Sequence, residues 1–181
     1  MTFSQAVRRC GTAAAVAVTC ALSGGGTAVA APPVAHLTKA ERAKLLAVTG
    51  KFRDVQRAID AGYLPTKDCV PGMGLHYVNP AYAGDGRIDP LKPEILLYLA
   101  GPHGRLKLTA VEYFLPDGDG DLNTDRDRPA LYDHPFNGPM LGHPVPQGAP
   151  PMPVHYDLHV WLYRHNPAGE LATENPTVTC G

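Results

Sequence analysis

Glu94-Ile95-Leu96-Leu97-Tyr98-Leu99-Ala100-Gly101-Pro102-His103-Gly104-Arg105-Leu106-Lys107-Leu108-Thr109-Ala110-Val111-Glu112-Tyr113-Phe114-Leu115 reads as two strands and a turn. After its first residue, Glu94 to Leu99 is wholly apolar, the pattern of a strand covered on both faces. Leu106 to Leu115 alternates. The six residues between them hold two glycines and a proline, which is turn chemistry, so the spacing predicts an antiparallel hairpin. Further on, His155 to Tyr163 is rich in aromatic and β-branched residues and predicts another strand.

Upstream, Thr38-Lys39-Ala40-Glu41 has the form of a capping box: a Thr oxygen for the Glu41 amide, with Glu41 reaching back. Behind it Leu45, Val48, Phe52, Val55 and Ile59 recur at spacings of three and four, one apolar face of a helix. The helix is expected over about 39–61, bent near Gly50 and stopped at Gly62. Residues 64–93, broken by Pro65, Pro71, Pro80, Pro90 and Pro93, read as irregular. Pro116 to Pro153 reads as one long Pro-rich loop, either a lid or a segment packed across the sheet. The fold class is therefore α+β: an N-terminal amphipathic helix packed on a small antiparallel sheet, with a long Pro-rich loop and one disulfide.

The first thirty residues have a different character. Arg8 and Arg9 precede an uncharged run of small and apolar residues from Gly11 to Leu22, and Ala28-Val29-Ala30 follows. A positive start, a short apolar stretch and an A-x-A site define a cleavable export signal over residues 1–30. The apolar run is shorter than the roughly 20 residues a bilayer span needs. The paired arginines leave both the general and the twin-arginine routes open. Val18-Thr19 before Cys20 do not suit a lipid anchor. Cleavage after Ala30 leaves a single domain over residues 31–181, secreted or otherwise extracytoplasmic.

Of 16 basic residues, Arg8 and Arg9 go with the signal, leaving 14 against 17 acidic, a net charge of −3. That balance argues against nucleic acid and anionic membrane surfaces, which call for a basic patch. No second apolar stretch has membrane length. Two cysteines remain, Cys69 and Cys180, and outside the cytoplasm such a pair reads as a disulfide; free or metal-binding thiols are the alternative, although the spacing fits no zinc motif. Ser4 and Ser23, both in the signal, are the only serines, so the mature chain cannot carry a Ser-His-Asp triad. There is no phosphate loop or dinucleotide fingerprint.

Alternation on the last strand puts His155, Asp157, His159, Trp161 and Tyr163 on one side and Tyr156, Leu158, Val160 and Leu162 on the other. His155 and His159, four apart, are about 13 Å apart on a flat strand, too far to share one ion unless a bulge intervenes. Glu112 falls in register with Leu106, Leu108, Ala110 and Phe114, where a carboxylate is costly unless paired or metal-bound. His76 follows Gly72-Met73-Gly74, a loop suited to presenting a ligand. His76, Glu112, His155 and His159 are thus the candidate metal ligands, a donor set that suits a divalent transition metal, Zn²⁺ or Cu²⁺ foremost. The plainer reading makes His155 and His159 part-exposed sheet residues, His76 a loop hydrogen-bonder, and Glu112 a partner of Arg105, Lys107 or a buried tyrosine. His36, His103, His134, His143 and His165 read as solvated loop residues. The acidic loop Asp117 to Arg128 resembles a calcium loop, but Leu122 and Arg128 stand where an EF-hand needs Gly and Glu, so calcium is not expected.

The run Gly72-Met73-Gly74-Leu75-His76-Tyr77-Val78-Asn79-Pro80, with Ala110-Val111-Glu112-Tyr113, His155-Tyr156-Asp157-Leu158-His159-Val160-Trp161, Asn166-Pro167 and Cys180, resembles an uncharacterised group of exported bacterial proteins with no established activity. The resemblance spans about residues 40–180 and implies a single domain. Three functions stay open: a secreted metal-binding protein or metalloenzyme, with Glu112 as ligand or general base; a non-catalytic module that binds a small molecule, glycan or protein through the exposed Trp161 and Tyr163 side and the Pro-rich loop; and a purely structural envelope protein.

Overall fold

A computed structural model describes residues 36–143 and 145–181. The export signal, read over residues 1–30, lies outside the described residues. The chain is α+β, built on a six-stranded antiparallel sheet. Helix α1 (Lys39–Thr49) begins with Thr38, whose side chain accepts the Glu41 amide while Glu41 reaches back to the Thr38 amide. A 3-10 turn, Gly50–Arg53, follows, and Asp54 caps a restarted helix α2 (Val55–Asp60). The expected single helix is therefore three pieces. The break frees the Phe52 carbonyl to accept the buried Tyr98 hydroxyl at 2.6 Å. It also shifts the buried face: Leu45, Phe52 and Ala58 enter the core, while Ile59, expected there, is 39% exposed.

Strands β1 (Leu64–Val70) and β2 (Gly74–Val78) form a hairpin, followed by the short helix α3 (Pro80–Ala83). Residues 64–93 are thus largely ordered, against the irregular reading. Pro65 fits because β1 is a sheet edge, where a missing amide costs no ladder bond. Gly74 has φ +103°, and a side chain there would press on the Tyr98 carbonyl, so only glycine lets β2 approach its neighbour. Strands β3 (Ile95–Ala100) and β4 (Leu106–Pro116) form the expected hairpin.

The segment 116–153 is also less loop-like than its prolines suggest. It holds a small pair, β5 (Ala130–Leu131) and β6 (His134–Pro135), and the edge strand β7 (Asn137–Met140). β8 (His155–Val160) inserts between β4 and β7, giving the order β1-β2-β3-β4-β8-β7. The sheet's two faces have different covers. On one, Leu96, Tyr98, Val111, Tyr113, Tyr156 and Leu158 pack against the helical segment. On the other, Ile95, Leu97, Ala110, Phe114 and Trp161 pack with Val178 of the C-terminal tail and Met152 of the Pro-rich segment.

A bulge determines what reaches this second face. Leu97 pairs with Ala110 and Tyr98 with Leu108, so Thr109 is the extra residue, its hydroxyl bonded to the Leu97 carbonyl. An inserted residue inverts side-chain parity beyond it. Leu106 and Leu108 therefore join the helix-side core, whereas Ala110, Glu112 and Phe114 turn to the opposite face. The expected single register for all five does not hold.

Cys69 and Cys180 are bonded across 111 residues of chain. The tail is also held by backbone bonds from Gly72 N to Val178 O and from Asn175 N to Gly72 O. Closing so long a loop restricts the unfolded chain by roughly 4–5 kcal/mol. The Cys69→Ala/Cys180→Ala double variant is expected to lose about that much stability in urea unfolding.

Glu94 is 1% exposed, with Phe114 N–H donating to its carboxylate. Burial foremost, with Asp85 and Glu112 adding to it, pushes its carboxyl up to about 8. A carboxyl raised above its unfolded value favours the native state fully at pH below that value, near 4.5, and loses that contribution as pH climbs through 8. Glu94→Gln should therefore raise the melting temperature more at pH 8 than at pH 5; an equal shift at both would show that burial of this carboxyl does not govern stability there.

Candidate metal centre

Three strands and one loop supply the polar groups on the second face. His76 comes from β2, Glu112 from β4, and His155, Asp157 and His159 from β8. His76 is held by a regular strand, not by the flexible loop expected, with Leu75 and Tyr77 turned to the helix-side core. Glu112 pairs directly with His159 across the β4–β8 ladder. His76 lies beyond β3, and its ring and the Glu112 side chain meet over that strand.

Among the described residues, His76, Glu112 and His159 each offer a ligand atom, all within 4.8 Å of one another. One Glu112 oxygen, Oε2, lies 3.4 Å from His76 Nε2 and 3.5 Å from His159 Nε2. These are long for hydrogen bonds, which for N–H···O run about 2.7–3.2 Å. They match two ligands on one ion: donors at 2.0–2.1 Å from a tetrahedral Zn²⁺ lie about 3.3–3.4 Å apart. Both Glu112 oxygens, His76 Nε2 and both nitrogens of His159 are buried with no hydrogen-bond partner among the described residues. Arg105, Lys107 and the buried tyrosines do not pair with Glu112; Tyr63, Tyr98 and Tyr113 donate instead to the backbone carbonyls of Pro93, Phe52 and Pro90.

The electrostatics suit a metal site. Burial, then the His159 and His143 imidazoles, push His76 down to about 3, leaving it neutral with a free lone pair. Burial pushes Glu112 up to about 8, although His159 opposes it. Burial presses His159 downward, but Glu112 and Asp157 together hold it above its ordinary value. Asp157 is also desolvated, yet His159, His155 and His143 keep its carboxyl below the usual range. A divalent cation would relieve the burial cost of every one of these groups.

His155 does not join this triad. It lies four residues along β8 and forms a second group with Asp157 and His143, again within 4.8 Å. The four expected ligands thus fall into two groups. His143 was read as solvated; it is half-buried, its ring 5.0 Å from His155 and 5.6 Å from His76. Burial, with His155 next, pushes it down to about 4.

Trp161 and Tyr163 do not form the expected exposed aromatic side. Trp161 is 3% exposed, donates its indole N–H to the Ala172 carbonyl and stacks near His159. The Tyr163 hydroxyl meets Thr49 Oγ1 at 2.8 Å. In the acidic loop, Asp117, Asp119, Asp121 and Asp127 accept hydrogen bonds from the loop's own amides, as in a chain of capped turns. Comparison of the chain with protein families, curated proteins and solved structures finds no match.

Buried, unpartnered polar groups cost about 1–3 kcal/mol each, more when charged. Glu112→Leu is therefore expected to stabilise the chelator-treated protein by about 1–3 kcal/mol in urea unfolding. A loss of stability would mean that Glu112 serves the apoprotein as an ion-pair partner of His159.

Proposed function

We propose that this is an exported metal-binding protein that holds a divalent transition metal, Zn²⁺ or Cu²⁺, between His76, Glu112 and His159. One observation carries the reading. Three ligand atoms from three strands converge on a buried sheet face, without hydrogen-bond partners among the described residues, at the separations a small cation imposes. Two imidazoles and a carboxylate make a nitrogen and oxygen donor set without thiolate, which suits Zn²⁺ and Cu²⁺ over soft ions such as Cu⁺. Asp157 lies beside His159, its Oδ1 3.6 Å from Nδ1, beyond hydrogen-bond length, and adds negative charge next to the site. His76 is 2% exposed, and Glu112 and His159 are fully buried, which favours tight retention of the ion over turnover.

The export part of the proposal rests on the N-terminal pattern and is supported by the Cys69–Cys180 disulfide, which an oxidising compartment sustains. No helix among the described residues is long and apolar enough to cross a membrane. A small-molecule role for the Pro-rich segment has one observation in its favour: an apolar cleft of about 180 Å³ lies between Val145, Pro146 and Met152 on one side and Val78, Ala83 and Phe114 on the other.

The test is elemental analysis of the purified protein after dialysis against Zn²⁺ or Cu²⁺ near neutral pH, with melting followed in parallel. Wild type should bind at the triad and melt higher when loaded, by about 2.7 kcal/mol of added stability at a free metal concentration 100 times Kd. Glu112→Leu and His159→Ala should each weaken that site on the order of 100-fold or more, beyond what loss of an outer-shell partner causes. Wild type that gains no metal and no stability would defeat the proposal.

A further inference from the structure

A second group of ligand atoms lies alongside the triad and is carried by its own observations. We propose that His143, His155 and Asp157 form a second divalent transition-metal site, nearer to solvent than the first, and that Asp157 links the two.

The three residues each present a ligand atom within 4.8 Å of the others. His143 Nε2, His155 Nε2 and Asp157 Oδ2 are all buried atoms without a hydrogen-bond partner among the described residues. The His155 and Asp157 residues are fully buried. His155 has the wiring of a ligating histidine: its Nδ1 lies 3.0 Å from the Pro153 carbonyl, so the ring donates there and Nε2 is left with its lone pair inward. Asp157 divides its oxygens. Oδ1 faces His159 Nδ1 at 3.6 Å and accepts from Asn137 at 3.5 Å, leaving Oδ2 for the second ion.

His143 sets this site apart from the first. It is the one ligand supplied by the Pro-rich segment, and it is only half-buried, so it marks the solvent side. The segment is shaped to bring it in. At Gly142 any side chain would run into the Met152 backbone carbonyl, so two stretches of this segment pass closer there than other residues allow. An ion held by His143 would bind the segment to β8 and would be the readily exchanged one. Its donor set again has two imidazoles and one carboxylate, with positions left for water or an incoming ligand.

The full chain, stripped with a chelator and reloaded with Zn²⁺, tests this through metal content and the rate of transfer to a competing coloured chelator. Two equivalents are expected, one leaving at least about tenfold faster than the other. His143→Ala, with His143→Gln as a bulkier control, should remove the fast equivalent and keep the slow one. Gly142→Ala should weaken the fast site on the order of tenfold, the scale of disturbed ligand support. Two equivalents with unchanged rates in both His143 variants would overturn the second site, as would a single wild-type equivalent that survives them. A single equivalent lost on changing His143 would uphold this site and defeat the buried triad instead. No metal in wild type would overturn both.

Discussion

The Glu112 carboxylate, 0% exposed and without a hydrogen bond to either oxygen among the described residues, is the constraint around which this sheet is arranged. A charged group in that position is tolerated only where positive charge is brought to it. The fold sets two imidazoles against it from strands on either side: His159, held above its ordinary value, by direct ladder pairing, and the neutral His76 from beyond β3. Everything that covers the second face, from Val178 of the tail to Met152 of the Pro-rich segment, deepens that demand by excluding water. The apolar cover and the polar cluster are therefore two sides of one design: a dry layer strengthens electrostatic attraction to a cation and raises the cost of burying these polar groups unpaired.

The bulge at Thr109 makes that arrangement possible. Without it, Glu112 would share the helix-side face with Leu106 and Leu108, and its carboxylate would point into the aromatic core around Tyr98 and Tyr113. One extra residue inverts parity for the rest of β4 and directs the carboxylate to the histidine face. The break in the helix serves the opposite face in a similar way, releasing the Phe52 carbonyl to satisfy the buried Tyr98 hydroxyl. The helix break satisfies a buried hydroxyl, and the bulge decides which face carries the buried carboxylate, in an interior otherwise governed by apolar packing.

Periodicity made a good part of this legible in the sequence. The capping box at Thr38, the β3–β4 hairpin and the two faces of β8 are local patterns, and each follows from a few neighbouring residues. Glu112 stood out because a carboxylate amid Val111, Tyr113 and Phe114 needs a reason. The β1–β2 hairpin was hidden because Pro65, Pro71 and Gly72 imitate a loop, although Leu75 and Tyr77 do alternate with His76 and Val78. The parity of Glu112 was misjudged because a bulge at Thr109 leaves no mark in composition. The partition of the ligands was half visible: the reach of an extended strand already separates His155 from His159. His143 was not visible at all, since its place beside β8 depends on how a proline-rich chain crosses the sheet, and no local spacing encodes that path.

The margins of the sheet have a consequence of another kind. An open edge strand presents a row of free amides and carbonyls, a template on which a further strand can add and from which fibrils grow. Here both margins are poor templates. β1 carries Pro65 and departs from regular pairing before Cys69, and β7 carries Pro139 and departs from it between Asn137 and Met140. Proline removes a donor from each edge, and the broken register keeps either from lying flat against a second sheet. The prolines that obscure these strands in the sequence thus guard the folded protein against self-association, so that a sheet six strands wide can remain a finite object at high concentration.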